Sequence, residues 1–220
     1  MCASPQPASS CAPRRLRADA GVTLPEIMVS VALALVGMAT ALSFNRAQFF
    51  ALRDQAKQID IQTSTRGIVD FFAREVRRAG RDPVCTGVFT PLVLGTPTQV
   101  RFQSDLNSNG VLEPITEDLT YRIMSGYTKL ERVAGATLEI LLNEVDLAGS
   151  KFRYFDGAGV ELLPSPSLTA AQRAAVRRVR LELITRGGSP GSPRTTPLEA
   201  RAATNVELRN RFFVATSTCP

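Results

Sequence analysis

Four groups of residues in this 220-residue chain have types and spacings that could do chemistry. Glu26 is the single charged side chain between Val22 and Phe44, so within that run it could pair only with a cation supplied from elsewhere. In "DLNSNGVLE", Asp105, Asn107 and Asn109 occupy positions one, three and five of an EF-hand-like loop, followed by Gly110, the Val111 carbonyl and Glu113 at six, seven and nine. Alternating oxygens and a glycine turn suit a hard cation, so calcium is the expected ligand. The twelfth position is Thr116 and not a bidentate glutamate, so Glu117, Asp118 or water would complete the shell. The affinity expected is weak, on the order of 0.1 to 1 mM. Asn-Gly also suits a plain hairpin turn. The third group is a cysteine pair, Cys85 and Cys219, and the fourth is Arg177, Arg178, Arg180 and Arg186, which could contact phosphates.

Other chemistry is excluded by composition. The chain has no histidine, which removes the Ser/His and Cys/His hydrolases, and no nucleophile, base and orienting group can be assembled from what remains. The chain is read as a non-enzyme. Its net charge of +6 comes from arginines scattered among acidic residues, a pattern that permits nucleic acid without indicating it.

The elements that must position these residues begin with the apolar run. About 23 residues from Val22 would cross roughly 30 Å of hydrocarbon as a helix. Arg14, Arg15 and Arg17 precede it, which puts the N-terminus in the cytoplasm and the rest of the chain outside the inner membrane. A secretory signal peptide would share the basic start, but this run is long for one and "MATALSF" is a mediocre cleavage site. Cleavage before the run, between Gly21 and Val22, accounts for Pro25 and Glu26. The first helical N–H groups have no partner within the helix, so Pro25 removes a bond that never forms. Glu26 then faces the positive helix end and a newly freed amine.

Further on, Ile61, Ile68, Phe72, Val76 and Ala79 recur with the period of one helix face, and Gly80 and Pro83 stop it. One helix from Pro25 to Ala79 is expected, about 80 Å long at 1.5 Å per residue. Alternating segments "TQVRFQS", "DLTYRIM", "TKLERVA", "KFRYFD" and "VRRVRLELITR" read as half-buried antiparallel strands. "TLEILLNEV" suits a strand or a short helix, "GGSPGSPRTTP" a loop and "NVELRNRFFVAT" a closing strand. A long helix on an antiparallel sheet makes an α+β fold.

"GVTLPE" followed by the apolar run resembles the class III signal of type IV prepilins and type II secretion pseudopilins. The resemblance implies a pilin fold, cleavage by prepilin peptidase between Gly21 and Val22, and N-methylation of the new Val22 amine. Glu26 would then neutralise the N-terminal ammonium of a neighbouring subunit during assembly. Valine stands where the family usually has phenylalanine, and proline is unusual at the fourth mature position. The body, through "RGIVDFFAREVRRAGRDP", "VRFQSDLNSNG", "FRYFD" and "VELRNR", is similar to PilW-like minor pilins and the related J-type minor pseudopilins. On this resemblance residues 1–21 are leader, 22–45 the transmembrane and assembly half of the helix, 46–80 its amphipathic half and 81–220 a β-rich globular domain.

The function implied is a minor pilin of the type IV pilus priming or tip complex, with roles in adhesion and motility. Its partners would be other pilins, prepilin peptidase and the inner-membrane assembly platform. The alternatives are a minor pseudopilin of a type II secretion system and a pilus-tip module binding DNA or surfaces. Once the leader with Cys2 and Cys11 is gone, Cys85 and Cys219 form an even pair in an oxidising compartment and are expected to bond.

Overall fold

The computed structural model describes residues 21–124, 126, 128–188 and 195–210. The chain divides into two units, Met1–Gln48 and Phe49–Pro220. Helix α1 spans Leu24–Arg78. In the first unit every described residue is exposed, and this stretch is long and apolar enough to cross a membrane by length and composition.

In the second unit α1 buries one face. Ile61, Thr65, Val69, Phe72, Ala73 and Val76 follow the three-to-four-residue spacing that keeps side chains on one side of a helix. The helix stops where the sequence indicates. Gly80 takes φ 73°, its N–H donates to Gln103 O at 2.7 Å, and a β-carbon there would lie 2.4 Å from Pro91 Cγ. Only glycine fits that position.

Two antiparallel sheets cover this face, where a single sheet would have satisfied the sequence pattern. The first has five strands in the order β1 (Leu94–Gly95), β2 (Gln99–Gln103), β3 (Asp118–Met124), β4 (Lys129–Ala134) and β5 (Thr137–Leu142). The second runs β7 (Glu161–Leu162), β6 (Lys151–Phe155), β8 (Arg178–Gly187) and β9 (Leu198–Glu207). "TLEILLNEV" supplies the strand β5, and the last described strand ends at Glu207, four residues before Arg211, where the description stops. Leu208, Arg209 and Asn210 follow outside any strand, and residues 211–216 of "NVELRNRFFVAT" lie outside the described residues. A short helix α2, Ala170–Ala175, opens on a capping box between Thr169 and Gln172.

Both sheets and α1 share one core. Phe72 is fully buried, with its ring 5.0 Å from Tyr121 of β3 at 84° and 5.7 Å from Phe152 of β6. Beside it, Glu75 accepts from the Arg132 guanidinium of β4 (Nη2 to Oε1, 2.8 Å) and from the Tyr121 hydroxyl. Burial, followed by the neighbouring Glu75 charge, pushes the Tyr121 phenol far up, so it stays a donor. This clamp fixes the helix against β3 and β4.

Arg101 and Asp118, on β2 and β3, form a charge-assisted pair (Nε to Oδ1, 2.7 Å). The Arg101 hydrogen bond holds the Asp118 carboxyl below the usual carboxylate range, burial opposes it, and Gln103 adds a smaller lowering. A lowered folded value stabilises the fold above the unfolded carboxyl's pKa, about 4, and that share is lost as pH falls through the folded value. Urea unfolding at pH 6 and pH 3 should therefore show a smaller loss of stability on acidification for Asp118→Asn than for the parent chain. Equal losses would contradict the assignment.

Candidate functional site

The N-terminal site is built by the helix start. Gly21, Val22 and Thr23 precede α1, and Glu26 lies in its first turn, exposed, with its N–H donating to Thr23 O at 3.0 Å. Pro25 occupies the second helical position, where its missing N–H breaks no helical bond. From Leu24 to Phe49 each apolar side chain is exposed. A carboxylate at the positive end of such a segment is placed to meet a cation outside its own chain. Residues 1–20, which hold most of the expected leader with Cys2 and Cys11, lie outside the described residues.

The "DLNSNGVLE" loop brings Asp105, Asn107, Asn109, Val111 and Glu113 together between β2 and β3. Asp105 is fully buried and accepts the N–H groups of Ser108 (2.5 Å) and Gly110 (3.0 Å). Gly110, at φ 72°, allows the turn that makes this possible. Asn107 Oδ1 accepts from Asn109 N (3.0 Å), and Asn109 Oδ1 from Val111 N (2.8 Å). Those bonds orient both amides so that their nitrogens donate to Glu113 Oε1, at 2.9 and 3.0 Å. Glu117, also fully buried, accepts from Leu106 N (2.8 Å) and Glu113 N (3.0 Å). The loop is thus tied by its own hydrogen bonds, and Asp105 supports it with or without a cation.

Cys85, seven residues beyond α1, is disulfide-bonded, and Cys219 lies outside the described residues. Arg177, Arg178, Arg180 and Arg186 do not form one open row. Arg180 Nε stands 3.0 Å from Glu182 Oε1, near enough for an ion pair without hydrogen-bond alignment, and Arg186 reaches Asp146 and Glu199, each at 3.2 Å. Arg177 Nη1 donates to Ala174 O at 3.3 Å. Arg178 lies over the Phe155 ring, 4.8 Å from its centroid. The Glu75 clamp escapes a reading of hydrophobic spacing, although a carboxylate between Phe72 and Val76, at the edge of a buried stripe, is a signal for it.

The class these elements define is an α+β protein: a long N-terminal helix, exposed and apolar in its first part, whose second part packs on antiparallel sheets. No family model matches the chain, and no curated protein does. Among solved structures, a type IV-like pilin from Thermus thermophilus is similar over 71% of this chain and 96% of that one, with 14% identity and a TM-score of 0.42. A likeness that loose fixes neither family nor function.

Proposed function

We propose that the chain is a minor pilin, a structural subunit of the priming or tip complex of a type IV pilus. The reading is carried by one observation: an exposed Glu26 in the first turn of an exposed apolar helix that follows Gly21, Val22 and Thr23. Prepilin peptidase cuts between Gly21 and Val22, and the new amine is methylated. The subunit waits in the inner membrane with its globular unit outside. At mid-bilayer an unpaired carboxylate costs on the order of 3 kcal/mol and less near the interface, and pairing Glu26 with a neighbour's N-terminal ammonium removes that cost. Assembly through helices then needs no catalytic group. The Cys85 bridge goes to Cys219 and closes most of the globular unit into one loop.

A deletion strain tests the reading against its secretion alternative. Loss of surface filaments with enzyme export intact is the expected result. The reverse would assign the chain to a type II pseudopilus, and no change in either would end the proposal.

Calcium in the Asp105 loop belongs to this proposal as an added clamp, with Asp105, Asn107, Asn109, the Val111 carbonyl and Glu113 as ligands. Ion at ten times its dissociation constant adds about 1.4 kcal/mol by mass action. Millimolar Ca²⁺ should raise the melting temperature of the full chain by several degrees, and Glu113→Gln should reduce that rise. Asp105→Ala is the poorer probe, because it also releases the Ser108 and Gly110 N–H groups. Identical melting curves in calcium and in chelator would remove the ion from the account.

A further inference from the structure

We infer that a cleft at the end of the four-stranded sheet is a binding site for one phosphate-type oxyanion, with Arg178 as its principal donor. The cleft, of about 630 Å³, is walled by the turn 156–159, by Arg177 and Arg178, and by Glu207 and Arg209. Phe155, Arg178 and Glu207 are successive cross-strand partners on β6, β8 and β9, so their side chains rise from one face. An arginine opposite a carboxylate ordinarily pairs with it. Arg178 instead lies on the Phe155 ring, and its Nε is buried with no hydrogen-bond partner among the described residues.

The contrast with its neighbours is sharp. Arg153 holds Glu161 and Glu182, Arg186 holds Asp146 and Glu199, and Arg201 holds Glu199. The Nε itself is closed to solvent, so an anion in the cleft meets the terminal Nη groups of Arg178. The planar guanidinium, its Cζ 4.8 Å from the ring centroid, presents a fork of terminal donors matched to a phosphate. Arg177 brings a second cation to the same wall, its backbone fixed by bonds from its N–H to Phe155 O (2.8 Å) and from Leu208 N to its carbonyl (2.9 Å).

Two carboxylates line the cleft as well. Asp156 is committed to its own turn, with Oδ1 accepting from Ala158 N (2.9 Å) and Val160 N (2.8 Å). Glu207 is exposed and stands across from Arg178 on β9. The three arginines still outnumber the two acids. The phosphate could be carried by a small molecule or by a nucleic-acid backbone; the recognition chemistry is the same. The inference does not rest on filament assembly.

Calorimetric titration of the full chain in an uncharged detergent, with inorganic phosphate at constant ionic strength set by chloride, tests it. Saturable binding with a dissociation constant on the order of 1 to 10 mM is expected. Arg178→Gln should weaken it about tenfold or more. Glu207→Gln should tighten it several-fold, a gain that a damaged fold does not produce and that decides the matter if Arg178→Gln fails to fold. Duplex DNA that binds with the same Arg178 dependence makes the source a phosphodiester backbone. Phosphate binding without DNA binding makes it a small phosphate-bearing ligand; either supports the site. No saturable binding, or binding unchanged in both variants, overturns it.

Discussion

Replacing Glu26 with alanine should leave cleavage after Gly21 intact and lower incorporation of the subunit into filaments by about tenfold or more. The carboxylate is exposed in the first turn, at the one charged position of the apolar segment. Removing one partner of a desolvated, hydrogen-bonded charge pair costs about 2 to 5 kcal/mol, most of it from the charge left behind, here a neighbour's ammonium. Immunoblots of sheared filaments against the membrane pool measure the ratio. Glu26→Asp should recover part of it, since the charge is kept on a shorter arm. Unchanged incorporation in Glu26→Ala would remove its role in setting helix register.

The second large effect falls on the core. Phe72→Ala is expected to destabilise the globular unit by about 3 to 5 kcal/mol, because the ring is fully buried and joins α1 to both sheets through Tyr121 and Phe152. For a unit of this size the melting temperature should fall by roughly 10 °C or more. Phe72→Leu, which keeps most of the volume, should cost less. Thermal melts followed by circular dichroism on the full chain check both, and a shift under about 2 °C for Phe72→Ala would contradict the packing described.

What could be read ahead of the structure was what depends on neighbours in sequence. "DLTYRIM" alternates, and β3 occupies those seven residues with alternate side chains buried. Gly80 marks the end of α1 because the chain needs a left-handed residue there, and a local pattern announces it. The loop around Asp105 is compact as its Asp, Asn and Gly spacing implies, since its Asx side chains bond N–H groups two to five residues on.

What could not be read depends on distant partners. Splitting the strands into two sheets follows from which strand pairs with which, and no single strand carries that information. Arg178 and Arg180 look alike in "RRVRLELITR", yet Arg180 meets Glu182 while Arg178 meets the ring of Phe155, a residue 23 positions earlier in the chain. Glu75 meets Arg132 and Tyr121 only because helix and sheet bring the three together. Charge alone does not reveal such partners.

The central claim, that the chain is a processed subunit assembled through its N-terminal helix, is tested most directly by the mature N-terminus. Intact-mass and N-terminal sequence analysis of the membrane-extracted protein, from strains with and without prepilin peptidase, should show Val22 as the first residue, carrying one methyl group, only where the peptidase is present. Without it the chain should keep its leader. A mature protein beginning at Met1 or near residue 45 in the peptidase-bearing strain would contradict the account.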